Sequence, residues 1–320
     1  MNATAPAPAK PLPRPGSVGA WALAARPKTL VAGSAPVLVG SSIAFAAGSF
    51  RPLLALGALV VGVSIQIGTN FVNDAADHAR GADTADRLGP PRAVASGLLP
   101  SRVVWSAALD CFVLAGGVGV WLASVSSWWL LIPGGIAILA GIAYTAGPKP
   151  LAYLGLGEIF VFAFFGLFAT AGTVFVQVAG TTVDPLISIF AITVGCSMGF
   201  LAVVILEVNN IRDAPTDREA GKVTLAVRIG DRRARILLAA FLIGAYVFVI
   251  LPLMPVLVIS IPWLLAPMLT IPLALSAHRT LARGDSGRPL NLVLAKVALL
   301  QAVFALLTAA GFVVLGVIIR

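Results

Sequence analysis

The chain has 320 residues, 59% of them hydrophobic and only 11% charged, against about a quarter charged in soluble domains. Together with a mean hydropathy of +0.98, this excludes a soluble globular protein and places the chain in a membrane. The net charge of +9 does not imply a nucleic-acid partner, because with so few charges the informative quantity is where they lie relative to the apolar runs.

Residues 1–20 begin with alternating Pro and Ala and lack an apolar core, so they read as a disordered leader and not as a cleaved signal. Residues 21–320 form one polytopic domain. A helix needs about 20 apolar residues to span a bilayer. Nine runs qualify: 28–48, 52–74, 102–122, 128–146, 157–179, 185–208, 232–252, 255–277 and 292–319. The eighth carries Pro255, Pro262, Pro267 and Pro272 and is expected to kink or break. Cys111 and Cys196 fall inside apolar runs without metal-ligand spacing and read as small buried residues.

With nine spans, 20 of the 22 basic residues fall on the side of the N-terminus, leaving only Arg51 and Arg320 opposite. The positive-inside rule makes the first side cytoplasmic. The fold class is therefore an all-α integral membrane protein of nine transmembrane helices.

Nine of the 13 acidic residues occupy two segments on that side: Asp74, Asp77, Asp83 and Asp86 after span two, and Glu207, Asp213, Asp217, Glu219 and Asp231 after span six. Each segment reads as an Asn- and Asp-rich helix end running into a polar loop, and the spacing suggests a duplicated half. Asn70, Asn73, Asp74 and Asp77 share one helical face, as do Asn210, Asp213 and Asp217. Opposed carboxylate faces call for cations, and oxygen ligands with only two histidines in the chain suit Mg²⁺ far better than zinc. Magnesium commonly shares phosphate oxygens, which points to a phosphorylated substrate. The isolated acids Asp110 and Asp184 read as helix-end residues, and Glu158, opening a span, as a partner of the helix dipole.

At these residues the chain resembles the UbiA superfamily of intramembrane aromatic prenyltransferases, over nearly its whole length from about residue 20. Asn73 and Asp77 supply the first two positions of the family's first signature. The third falls on Gly81, and the acid is displaced to Asp83. The run Gly81, Asp83, Asp86, Arg87, Gly89, Pro90 resembles the branch acting on bicyclic naphthoquinone precursors. So do Asn209, Asn210, Arg212, Asp213, Asp217, Arg218, Glu219, Gly221 and Lys222, and the segment containing Tyr144, Gly147, Lys149, Tyr153 and Glu158.

The resemblance implies a UbiA-type bundle in the plasma membrane with a cytoplasm-facing active site. It implies transfer of a polyprenyl group from polyprenyl diphosphate to 1,4-dihydroxy-2-naphthoate with decarboxylation, giving demethylmenaquinone and diphosphate. Metal ligands would be Asn73, Asp77 and Asp83 for one Mg²⁺, and Asn210, Asp213 and Asp217 for a second. Diphosphate partners would be Asn70, Asn73, Arg87, Lys149, Asn209, Arg212 and Lys222. Lys149, Tyr144 and Asp74 are candidates for catalysis, the last two for orienting a substrate hydroxyl. Phe160, Phe162, Phe164, Phe165 and Phe168 on span five offer aromatic surface to the prenyl chain or its allylic cation, or simply pack. Other acceptors, 4-hydroxybenzoate or homogentisate, use the same machinery. A cation transporter is the rival from another class, but its acids should lie near the midplane, and these cluster at helix ends beside Arg212 and Lys222.

Overall fold

The computed structural model describes residues 11–81, 88–182, 184–253 and 262–320. Its elements are α-helical, with short 3₁₀ and π turns: α1 (Val18–Ala25), α2 (Leu30–Ala46), α3 (Pro52–Ala79), α4 (Ser101–Val125), α5 (Leu131–Ala143), α6 (Gly157–Phe162), α7 (Phe168–Val178), α8 (Pro185–Glu219), α9 (Leu225–Ile229), α10 (Asp231–Ile250), α11 (Ile271–Ala282) and α12 (Leu290–Ile318). Among the described residues, seven helical stretches are long and apolar enough to cross a membrane, and the Trp128–Ala143 stretch is apolar but shorter.

Three expectations need correcting. The leader is not disordered throughout. Ser17 caps α1 by accepting from the Ala20 amide, the Gly16 amide donates to the Leu98 carbonyl, and Trp21 packs edge-on against Phe71. Burial of Ala20 and Ala24 fixes this short helix against α3. Second, the sixth span does not end near 208, because α8 continues through Pro215 to Glu219 and carries Glu207, Asp213, Asp217 and Glu219, while Asp231 opens α10. Third, Asp110 lies well inside α4 and is exposed, not at a helix end, whereas Asp184 does cap α8 by accepting from the Leu186 amide at 2.8 Å. Of the eighth run's prolines Pro255 lies outside the described residues, and the others act as expected: Pro262–Thr270, with Pro267 inside it, is a 3₁₀ stretch, and α11 begins only at Ile271 with Pro272 in its first turn.

Length places the signatures. The 28 residues of α3 span about 42 Å and the 35 of α8 about 52 Å, both beyond a hydrocarbon core of about 30 Å. Their last turns, which carry the Asn and Asp residues, therefore stand at the edge of the apolar layer.

Around α8 the packing is close. α8 contacts α10, α12, α6 and α7, and its buried face joins residues of α2, α10 and α12 in one core. A Cβ added at Gly166 would fall 2.1 Å from the Gly199 Cα, so the π turn Ala163–Leu167 lies directly on α8. Gly33 and Gly62 let α2 and α3 touch in the same way: a Cβ on Gly62 would meet the Gly33 carbonyl at 2.6 Å. A second core joins α3, α4 and the 93–99 segment.

Candidate active site

The two aspartate-rich helix ends open onto one cavity. Asn70, Asn73 and Asp77 of α3 line it together with Asn209, Asn210, Arg212 and Asp213 of α8, and Lys222 follows just beyond. Tyr144 at the end of α5 and Phe160, Phe164 and Phe165 complete the wall. The π turn Ala163–Leu167 places Phe164 and Phe165: Phe165 takes φ −97°, ψ 15°, a break in the helix of the kind that recurs at functional sites.

Asp77 and Asp217 are both buried, and each keeps one oxygen unsatisfied. Asp77 Oδ2 meets Arg92 Nη2 at 3.1 Å, while Oδ1 has no hydrogen-bond partner. Asp217 Oδ1 lies 3.5 Å from Lys222 Nζ, while Oδ2 has none. A buried carboxylate oxygen left open is costly unless a cation or donor meets it. The donor set is oxygen throughout, which fits a hard divalent ion such as Mg²⁺. Asn73 and Asn210 stand beside these acids and are themselves fixed: Thr145 Oγ1 donates to Asn73 Oδ1 at 2.6 Å, and Asn210 Nδ2 donates to Glu158 Oε1 at 2.8 Å. Asn210 thereby keeps its carbonyl oxygen for another group.

Other expected site residues are committed differently. Asp74 accepts from the Ala93 and Val94 amides and is not in the cavity wall, so it shapes the segment after the first signature. Asn70 donates to the Ala25 carbonyl at 2.8 Å and to Thr29 Oγ1 at 3.0 Å, which leaves its amide no donor for a diphosphate. Asn209 donates to the Ile205 carbonyl of its own helix. Lys149 is exposed outside the cavity wall, on the loop that Arg80 pins to α3 through the Thr145 and Gly147 carbonyls. Phe162 packs on Phe200 and not into the cavity. Asp83 and Arg87 lie outside the described residues.

Sequence reasoning assigned Arg92 and Arg26 only to sidedness. Arg92 is buried and lines the cavity, and the Pro-Pro-Arg run after the displaced acid was the available signal. Arg26 also lines the cavity and is the only described non-glycine residue with positive φ, at 52°. Asn70, Gln66 and Thr29 hold that strained turn against α3. Glu207, wholly buried, lies against Glu158 behind Asn210.

Residues 34–300 match the UbiA prenyltransferase family. The chain belongs to that family. A UbiA relative from Mycobacterium tuberculosis, named 1,4-dihydroxy-2-naphthoate octaprenyltransferase, is 39% identical over 92% of this chain and 96% of its own. A Bacillus subtilis protein of the same name is 33% identical over 92% of each. The fold is similar to a UbiA homologue from Archaeoglobus fulgidus bound to DMAPP and Mg²⁺. That structure has a TM-score of 0.63 and 17% identity, covering 91% of this chain and 98% of that one. A UbiA homologue from Aeropyrum pernix gives a TM-score of 0.64 at 14% identity, over 90% and 97%.

Proposed function

We propose that this UbiA protein transfers a polyprenyl group from its diphosphate to 1,4-dihydroxy-2-naphthoate. The observation that carries this is one cavity in which two Asn/Asp faces, Asp77 with its open Oδ1 on one and Asn210 and Asp213 on the other, meet cationic side chains and then pass into an apolar space, with Asp217 buried beside Lys222 just outside the wall. That space, about 520 Å³, shares Gly62, Ile65, Ala137, Phe164 and Ala169 with the polar cavity. A prenyl tail needs such an apolar continuation, and a transporter does not. The acceptor is supported by the names of the relatives, which cover nearly the whole chain.

Asp77 with Asn73, and Asp217 and Asp213 with Asn210, would hold two Mg²⁺ ions, with Asp83 supplying a further oxygen to the first. Bound there, the ions neutralise charge that builds on the departing diphosphate. Arg212 and Lys222 flank that charge, and Arg87 is assigned to it from the sequence pattern. Lys149, exposed on its loop, attracts the anion from solution. The bond from prenyl C1 to the diphosphate oxygen breaks with its electron pair leaving on oxygen, while the electron-rich ring carbon bonds to C1. Loss of the carboxylate as carbon dioxide gives the prenylated naphthalenediol, the reduced form of demethylmenaquinone. Tyr144 orients a ring hydroxyl, and the planar fork of Arg26 suits the acceptor's carboxylate. The basic-residue distribution supports a plasma-membrane protein whose signature ends face the cytoplasm.

The test offers purified protein in detergent Mg²⁺, a polyprenyl diphosphate and one aromatic acid at a time. Prenylated product with carbon dioxide release is expected from 1,4-dihydroxy-2-naphthoate. Product from 4-hydroxybenzoate or homogentisate, with none from the naphthoate, overturns the assignment.

A further inference from the structure

Asn291 lies in the first turn of α12, outside both aspartate-rich segments, and its side chain connects them. Its Oδ1 accepts from Arg212 Nη1 at 2.8 Å, and its Nδ2 donates to the Leu88 carbonyl at 3.0 Å. Leu88 belongs to the Asp-Arg-x-Gly-Pro run that closes the first segment, and Arg212 opens the acidic stretch of the second. The other edge of the guanidinium grips Asp213, Nε to Oδ1 at 2.8 Å and Nη2 to Oδ2 at 2.6 Å. Arg212 is only 2% exposed yet lines the cavity.

The chemistry of this junction is specific. A guanidinium presents its donors in a fixed plane, so a bidentate grip on Asp213 and a third contact on Nη1 together fix its orientation. The third contact is a neutral amide oxygen. A carboxylate in its place would set a second negative charge against the same guanidinium and leave this junction net negative beside the site a polyanion has to enter.

We propose that Asn291 is a positioning residue for the diphosphate end of the site. It holds the Arg212 fork against Asp213 without adding charge and ties Leu88 to the same point, so that the two segments receive the Mg²⁺-diphosphate as one unit. The inference rests on the prenyl diphosphate reading above and adds a residue from a third element that no signature contains.

Two variants test it in the full-length detergent-purified protein. Asn291→Leu removes both contacts at similar volume. Asn291→Asp is isosteric, keeps an acceptor for Arg212, loses the donor to Leu88 and adds a charge. The readouts are KM for each substrate, the melting temperature without ligand, and calorimetric affinity for geranyl S-thiolodiphosphate, an unreactive probe, at fixed Mg²⁺. Expected are a roughly tenfold loss of probe affinity and a matching rise in KM for the prenyl diphosphate in Asn291→Leu, with KM for the naphthoate within twofold. Asn291→Asp loses probe affinity too, more at low ionic strength than at high. Probe affinity within twofold of wild type in both variants overturns the proposal, as does a parallel rise of both KM values with a lowered melting temperature. If the Leu variant does not fold, the isosteric Asp variant carries the test alone. Wild-type protein that binds no probe sinks the prenyl diphosphate reading instead.

Discussion

Arg92 Nη2 and Asp77 Oδ2 meet at 3.1 Å, with side chains only 8% and 4% exposed. A buried charge pair is most costly to break from one side only, by about 3–5 kcal/mol, because the remaining charge is stranded. Arg92→Leu should therefore lower the melting temperature in detergent well beyond Arg92→Lys, which keeps a cation near Asp77. Added Mg²⁺ should recover part of the loss in the Leu variant, since a cation at the open Oδ1 also offsets the stranded charge. Equal melting temperatures for both variants and wild type refute the stabilising role of the pair.

Asp217→Asn removes the negative charge but keeps size and one carbonyl oxygen. It is buried with Oδ2 open and lies 3.5 Å from Lys222 of the cavity wall, which is what supports the metal role proposed for it. Turnover should fall by at least about a hundredfold, a loss near 3 kcal/mol in barrier terms, with the protein still inserted and monodisperse. Raising Mg²⁺ should recover little of it. Near-normal rates across limiting Mg²⁺ contradict a metal role for this face.

The membrane class and the pairing of two Asn/Asp faces were legible because they rest on local features: run length, helical spacing and charge. The partners that fix those faces were not. Thr145 reaches Asn73 across 72 residues, Glu158 reaches Asn210 across 52, and Asn291 reaches Leu88 across 203, distances over which sequence spacing carries no information. Asp74 illustrates the limit. Its position on the same helical face as Asn70 and Asp77 suggested a substrate contact, yet the backbone amides of Ala93 and Val94 occupy it. Likewise, the apolar run marks the sixth span only to 208, while α8 tolerates Pro215 and stays helical to Glu219.

Lys149 is exposed and its side chain is absent from the cavity wall, so its assigned role is long-range attraction. Such an effect is screened by salt. Lys149→Ala should reduce kcat/KM for the prenyl diphosphate several-fold at low ionic strength and by less than twofold near 0.5 M salt, with the naphthoate KM unchanged. A deficit independent of salt indicates direct contact with the diphosphate.

The crossing of the π turn over α8 leaves no room for a methyl group, since a Cβ on Gly166 falls 2.1 Å from Gly199 Cα and 2.8 Å from the Gly195 carbonyl. Backbone cannot yield as a side chain does, so Gly166→Ala should cost at least about 1–3 kcal/mol, the range typical of overpacking. Gly117→Ala, inside α4 where an added Cβ meets nothing, is the control and should melt at or above wild type, since the exchange favours the helix by up to about 1 kcal/mol. A Gly166→Ala protein with wild-type stability places the helices further apart than described.

The apolar cavity beyond the polar site is the proposed seat of the prenyl tail, and Gly135 lines it with open space where a side chain would project. Gly135→Leu places an isobutyl group in that space, and the exchange favours the helix by about 0.8 kcal/mol, so loss of folding is not expected. Geranyl diphosphate, with only two isoprene units, should be used at a rate within twofold of wild type. An eight-unit chain should lose about tenfold in kcat/KM, because its distal units meet the new side chain. If both donors lose activity equally, or neither does, the tail takes another path. The groove between α2 and α12, lined by Leu38, Ala305 and Val313, is then the next surface to block.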